Sequence, residues 1–220
     1  MKWFRACWAV FMKDVTCELR SRRALNAVML FAVTSLTAVV FCVDRGWPDY
    51  VAAALLWLVI YFSAVSGLSG SFAHEEDSRT ADALRLAALP EAVCAGKVLF
   101  NLALLLCVVI VLALLGIVML GIDIANWGRF AVVLLAGSVG LASSSALLGA
   151  MVSKSGVRTL LFPIIAFPIS LPLLIAAIKA VESALGSGGV VENYAAVRVL
   201  ISYSGILLVL SLVFFRFVWE

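Results

Sequence analysis

Six long stretches of this chain contain no charged side chain, and they determine the expected architecture. A helix that crosses a lipid bilayer needs about 20 predominantly apolar residues. A charged residue at the centre of such a helix costs about 2.5–3.5 kcal/mol on insertion scales, so charges are expected between the crossings. The stretches predict six transmembrane helices at about 25–43, 51–72, 98–120, 131–152, 159–178 and 199–215. The chain is therefore expected to be an all-α integral membrane protein.

The distribution of lysine and arginine predicts how these helices are oriented. With six crossings, both termini lie on the same side of the membrane. Of the 16 basic residues, twelve fall on that side and four on the other, and cytoplasmic loops carry the excess of Lys and Arg. Both termini are therefore expected to be cytoplasmic, and the net charge of +3 needs no nucleic-acid partner. The longest outer loop is expected at 179–198, with a role that the sequence does not indicate.

Residues 1–23 have the pattern of a helix that lies in the plane of the membrane surface. A basic stripe at helical spacing opposes an arc of bulky apolar residues, as in interfacial helices. The stripe consists of Lys2, Arg5, Lys13, Thr16 and Arg20, and the arc of Trp3, Phe4, Trp8, Phe11, Val15 and Leu19. Asp14 and Glu18 lie off the stripe, beside the apolar arc. These two acids either contact a partner or the cytoplasmic mouth of the bundle, or they are simply solvated.

The longest polar interruption covers residues 71–101, between the second and third predicted crossings. Asp77 or Ser78 is a suitable N-cap and Pro90 a suitable stop, so the pattern predicts a short helix between them. Exposed ion pairs along a helix add only about 0.2–0.5 kcal/mol each, so this one would be held mainly by what it packs on. The segment 74–90 is therefore either a docking surface for a partner or a solvated loop helix.

The fourth predicted crossing is rich in small residues. It carries Gly137, Gly140, Gly149 and the run Ser143–Ser145. Small residues allow helices to approach each other closely in lipid. A packing face is therefore the preferred interpretation, and a substrate path is the alternative.

The fifth predicted crossing contains Pro163, Pro168 and Pro172. Each proline removes a backbone donor and clashes with the preceding turn. The helix is therefore expected to be kinked or discontinuous. Broken helices often line a transport pathway, whereas a bent packing helix is the competing interpretation.

Several kinds of chemistry have no sequence signal here. There is no G-x-x-x-x-G-K-S/T loop for ATP, and the five cysteines show no metal-ligand spacing, so they are interpreted as small packing residues. The predicted crossings contain no Asp, Glu, Lys, Arg or His, which ion-coupled transporters use as relays. If the protein moves a solute, the energy is expected to come from a partner.

These features together resemble the permeases of type-2 ABC exporters. Within that group the sequence is similar to the family of haem exporter protein B of cytochrome c maturation, CcmB. Three stretches carry the similarity: KDVTCELRSRRALN (Lys13–Asn26), EEDSRTADALRLAALPEAVCAGKVLFN (Glu75–Asn101) and LLFPIIAFPISLPLLIAA (Leu160–Ala177). The proline-rich stretch is the most specific. The similarity extends over nearly the whole chain and implies one permease domain at 1–220.

The resemblance also implies which residues couple the chain to an ATPase. They are Glu75, Glu76, Asp77, Arg79, Thr80, Asp82, Leu84 and Arg85. Thr80 and Asp82 match the small polar and acidic pair that is usual in the family. The family often has glycine where this chain has Ser78 and Arg79, and a proline nearer Ala88. This chain has neither, which leaves the local helix geometry open.

The location and the partners follow from the same resemblance. It implies a multi-pass protein of the bacterial inner membrane, in contact with membrane lipid and present in two copies per complex. The partners would be a cytoplasmic ABC ATPase subunit, haem-handling membrane subunits and a periplasmic haem chaperone. The ATPase would bind ATP, haem would be the cargo, and this chain would bind no cofactor and be no enzyme. The alternatives are a type-2 permease for a lipid-linked glycan or a drug, and a non-transporting scaffold of the haem-handling complex.

Overall fold

Seven α-helices make up nearly all of the described chain. The computed structural model describes residues 2–42, 48–68, 84, 88–153, 155, 158–186 and 190–219. The helices are α1 (Lys2–Ser21), α2 (Arg23–Cys42), α3 (Asp49–Leu68), α4 (Pro90–Leu120), α5 (Trp127–Ser153), α6 (Arg158–Leu185) and α7 (Val190–Trp219). The described ranges contain no β-strand.

The six helices α2–α7 are long and apolar enough to cross a membrane. Their candidate spans are Ala24–Cys42, Asp49–Leu68, Pro90–Met119, Trp127–Ser153, Leu160–Leu185 and Tyr194–Val218. The prediction of an all-α architecture with six helices of membrane-spanning length is confirmed for the described residues, and the chain is a multi-pass membrane protein. The end of the bundle that holds α1 and the last turns of α7 is called the near end below, and the opposite end the far end.

Several helices extend well past the charge-free stretches that predicted them. α4 begins at Pro90 rather than near 98, because Leu89 takes the extended conformation (φ −64°, ψ 142°) that a following proline favours and Pro90 occupies the first helical position. The segment 179–198, expected as an outer loop that could contain a short helix, is mostly helical, since α6 continues to Leu185 and α7 begins at Val190. A stretch without charges marks only the part of a helix that lies in the hydrocarbon core of the membrane. The helix itself can continue beyond that core with charged residues in the interface.

α5 is the central helix of the bundle. Two-thirds of its apolar window (67%) is buried inside the protein, against 17% for α2. A Cβ atom added to Gly137 would lie 2.1 Å from the Trp57 ring of α3. A Cβ atom added to Gly140 would lie 2.7 Å from Leu173 of α6 and 2.9 Å from the Ser204 hydroxyl of α7. At these positions the small residues form a packing face, as predicted.

α6 is continuous through all three of its prolines. Of the two forms expected for this helix, the discontinuous one is therefore wrong, and the kink stays a prediction. Pro163, Pro168 and Pro172 lie on the exposed face of the helix. On the buried side, the Tyr203 hydroxyl of α7 donates to the Ile169 carbonyl at 2.9 Å. The prolines therefore line the outer surface of the chain rather than the interior of its bundle.

Candidate functional site

The near end of the bundle is built around α1, which has three distinct faces. Cys7, Val10 and Asp14, spaced three and four residues apart, are buried against the bundle. Phe4, Trp8, Met12 and Leu19 form an exposed apolar face, and Arg5, Lys13 and Arg20 form an exposed basic one. A periodicity with one apolar and one basic face fits the interface between water and lipid. The third face is the one by which α1 attaches to the rest of the protein.

α1 and α4 are in close contact at Gly96. A Cβ atom placed there would lie 2.8 Å from the Val10 Cβ and 2.9 Å from the Cys7 carbonyl oxygen. Any side chain larger than that of glycine would force the two helices apart. Gly96 therefore sets the distance between them, and it precedes the residue that links them electrostatically.

Asp14 and Lys97 form an ion pair inside this contact. The Lys97 Nζ lies 2.9 Å from the Asp14 Oδ2, and the two residues are only 1% and 7% exposed. Lys13 approaches the same carboxylate at 3.3 Å from the exposed side. Removing one partner of a buried ion pair leaves an uncompensated charge, which typically costs about 3–5 kcal/mol. Asp14 therefore faces the mouth of the bundle, and the solvated alternative is wrong for this residue.

Glu18 stabilises the start of the next helix. Its Oε1 accepts a hydrogen bond from the Leu25 backbone N–H at 2.8 Å. Leu25 is the third residue of α2, and the first N–H groups of a helix have no partner within the helix. Arg22, at φ 51°, makes the tight turn that brings Glu18 over that terminus. Glu18 is partly buried and has a hydrogen-bond partner within the chain, whereas Arg20 is exposed on the basic face.

A compact apolar cluster holds α1, α4, α5 and α7 together at the near end. This near-end cluster consists of the buried residues Val10, Val93, Cys94, Val98, Ala146, Ala150 and Phe215. Leu84 and Ala88 are partly buried against it. Of the eight residues predicted to couple the chain to an ATPase, Leu84 is the only one that the structure describes. Glu75, Glu76, Asp77, Arg79, Thr80, Asp82 and Arg85 lie outside the described residues.

Sequence reasoning missed the burial of Lys97 and Asn101. Both were assigned to the polar segment 71–101, but they lie on one side of α4, one turn apart, at 1% and 0% exposure. No partner for the Asn101 amide is seen among the described residues. The available signal was Pro90, which can begin a helix as readily as end one.

A second polar contact, also missed from the sequence, ties the far end together. The Arg129 Nη1 donates to the Ser183 carbonyl at 2.8 Å, and its guanidinium lies 5.3 Å from the centre of the Tyr194 ring. Asn126 caps α5, because its Oδ1 accepts from the Arg129 N–H at 2.9 Å. These contacts join the start of α5, the end of α6 and the start of α7. The sequence alone offers Asn126 as an N-cap, but it does not indicate the contacts of Arg129 with Ser183 and Tyr194.

The described part of the chain brings together no group of three or more His, Cys, Asp or Glu side chains that could hold a metal ion. His74 lies outside that part. Among the described charged groups at the near end, Asp14 and Lys97 are the two that are buried. The near end therefore combines a buried ion pair between α1 and α4 with an exposed apolar face on α1.

Thiol labelling tests both the docking of α1 and the sidedness of the chain. Cys17 of α1 is exposed, whereas Cys7 is buried, and burial raises the pKa of the Cys7 thiol. Because the thiolate is the reactive form, a charged maleimide added on the cytoplasmic side should label Cys17 at least about tenfold faster than Cys7. Raising the pH should bring the labelling rates of Cys17 and Cys7 closer together, because more of the Cys7 thiol is then ionised.

The matched controls are Cys17→Ser and Cys7→Ser in right-side-out and inverted membrane vesicles. Cys42, exposed at the end of α2 on the far side, should react from the opposite face only. Rapid labelling of Cys7 would show that α1 is not docked, and labelling of Cys17 from outside would show that the orientation is reversed.

Comparison with known proteins gives two findings. The sequence model of a protein family described as CcmB protein matches residues 5–217. A curated relative from Bradyrhizobium diazoefficiens, named heme exporter protein B, is 25% identical over 181 residues, which cover 80% of this chain and 81% of the relative. The family match includes both sides of the contact between α1 and α4, the first five candidate spans, and all but the last residue of the sixth.

Proposed function

The chain belongs to the CcmB family, and from that premise we propose that it is the permease subunit of an ABC transporter complex for cytochrome c maturation. In this role it couples ATP hydrolysis by a partner subunit to haem export, or to release of a haem-loaded chaperone, at the periplasmic face. The family match over residues 5–217 is the observation that carries the proposal. The name of the Bradyrhizobium relative, heme exporter protein B, supports haem as the cargo.

The source of energy in this proposal is a partner subunit. It has six candidate spans but no phosphate-binding loop of the G-x-x-x-x-G-K-S/T type, so the nucleotide belongs to a partner. Twelve of the 16 Lys and Arg residues lie in segments on the near-end side, which favours a cytoplasmic near end and an inner-membrane location. An ATPase that binds there meets the segment 74–90 and the exposed basic face of α1.

The proposed coupling segment is 74–90, and the contacts of its described residues support this role. Leu84 and Ala88 pack against the near-end cluster, which also contains Val10 of α1 and Phe215 of α7. Pro90 then begins α4 without an intervening loop. A displacement of the segment is therefore transmitted to α1, α4, α5 and α7 through apolar side-chain contacts. It is also transmitted to α4 directly through the backbone.

Co-purification tests the proposal as a whole. A tagged chain, extracted in mild detergent from cells that make the complete pathway, should retain an ABC ATPase subunit identified by mass and proteins with haem absorbance. A glycan or lipid cargo without haem proteins would support a permease for another substrate. ATP-dependent chaperone release without haem flux in proteoliposomes would support the scaffold.

Reversing two charges in the coupling segment should uncouple the complex. The change Asp82→Lys with Arg85→Glu is expected to lower chaperone release per ATP at least about fivefold, the lower end of typical coupling between sites. Insertion should be unchanged, because neither residue lies in a predicted crossing. The measurements are ATPase activity and chaperone release in the purified complex.

A matched control applies the same chemistry at the far end. Asp123 and Lys179 are exposed there, so Asp123→Lys with Lys179→Glu should leave coupling unchanged. Equal coupling in the two double variants would exclude the segment 74–90 as the ATPase contact.

A further inference from the structure

The buried ion pair between α1 and α4 is not explained by stability alone. Replacing a buried ion pair with apolar side chains of similar volume is often neutral or stabilising, and α1 already has an apolar contact with α4 through Val10 and Gly96. In some proteins a buried polar pair fixes the register of two helices, because sliding or rotation separates the charges in a medium that cannot solvate them. Asp14 and Lys97 at 2.9 Å therefore specify one relative position of α1 and α4.

The position of the pair along α4 indicates what this register serves. Lys97 lies two helical turns after Pro90, so the segment 74–90 is joined to it by a short rigid stretch of helix. Leu84 reaches α1 by a second route, because it packs against the cluster that contains Val10. Both routes meet at the α1–α4 contact, and the exposed apolar face of α1 points away from it.

We propose that the Asp14–Lys97 pair fastens α1 to α4 so that the two helices move as one body during transport. Both residues are then positioning residues of the ATP-driven step, and a displacement of α4 carries α1 with it along the membrane surface. This inference rests on the proposed function, since it assigns the part that transmits the motion. The opposite arrangement is a latch, in which α1 must leave α4 during each cycle.

A reversible cross-link distinguishes the two arrangements. Val10→Cys with Gly96→Cys places two thiols in the close contact between α1 and α4, where the two Cβ positions are 2.8 Å apart. A disulfide needs about 3.5–4.5 Å between Cβ atoms, so the helices need to part by only about 1 Å. Cys7 and Cys94, which are buried nearby, are replaced by Ala in the same chain to prevent mispairing.

The experiment uses the purified complex in liposomes and measures chaperone release per ATP, with and without an oxidant. The cross-link should form nearly completely, and coupling should stay within about twofold of the reduced sample, below the smallest typical coupling effect. The proposal would be overturned if the cross-link fails to form although the reduced double variant couples as well as the unmodified chain, which shows that Gly96→Cys has not separated the helices. It would also be overturned by a loss of at least about fivefold in coupling that reduction reverses.

The charges are tested by neutralising one of them in the presence and absence of the cross-link. Asp14→Asn should lower coupling at least about fivefold without loss of the ATPase subunit, and oxidation of the added thiols should restore it. A residue that only stabilises the fold would change the amount of complex rather than the ratio of release to hydrolysis. A fastening role would be contradicted if the Asp14→Asn variant with reduced thiols releases as much chaperone per ATP as the chain with native charges. It would also be contradicted if oxidation of the added thiols does not restore that ratio.

If Asp14→Asn does not accumulate, the cross-linked chain with native charges still decides between one rigid body and a latch. If no ATPase subunit co-purifies with the unmodified chain, the proposed function fails. The extent of cross-linking in native membranes then reports independently whether α1 stays on α4.

Discussion

Replacing Lys97 by Met is expected to lower the free energy of unfolding by about 3–5 kcal/mol, because it leaves the Asp14 carboxylate buried without its cation. Met has a similar length and keeps the apolar packing around the side chain, so the loss reports the charge rather than a cavity. Lys13 lies 3.3 Å from the same carboxylate but is largely exposed, so it compensates only in part. The measurement is thermal or denaturant unfolding of the protein in detergent.

The double variant Asp14→Leu with Lys97→Met separates charge from shape. Since both ions are removed, its free energy of unfolding should return to within about 1–2 kcal/mol of that of the unmodified chain. An equal loss of unfolding free energy in the single and the double variant would show that the two charges do not stabilise each other. A loss below about 1 kcal/mol in Lys97→Met would show that the site is hydrated.

Replacing Gly137 by Val should disrupt the packing of α5 against α3. Its Cβ would lie 2.1 Å from the buried Trp57 ring, so α5 and α3 must separate or the indole must leave its rotamer. Overpacking of a core typically costs about 1–3 kcal/mol and sometimes more. Trp57 is fully buried in the central helix contact, so we expect the upper part of that range, measured as a lower midpoint of thermal unfolding.

Gly205 in α7 is the matched control, because a Cβ at that position meets nothing within 4 Å. Gly205→Val should therefore leave the unfolding midpoint nearly unchanged, although it makes the same chemical substitution in a transmembrane helix. Gly137→Val combined with Trp57→Leu should recover part of the lost stability, because the shorter side chain makes room. Similar behaviour of the two glycine variants would show that α3 and α5 are not packed at this distance.

The sequence by itself predicted the existence of the transmembrane helices. A charge at the centre of a membrane helix is costly wherever the rest of the chain lies, so an uncharged stretch is a local signal that needs no knowledge of the fold. For the same reason the amphipathic pattern of α1 was visible, since each residue of a helix takes its face from its own position. The positions where helices begin and end were less well predicted, as Pro90 and the segment 179–198 show.

Only the tertiary structure decided what the polar residues of the near end do. Lys97 was assigned to the polar segment 71–101 because its charge excluded it from an apolar stretch. Nothing local indicated that Asp14, far away in the sequence, would lie 2.9 Å from it. Likewise, Glu18 became a cap only because the turn at Arg22 placed it over the first turn of α2. The cost of burying a charge is local and can be read from the sequence. The partner that offsets it is determined by helix packing, which depends on the whole chain.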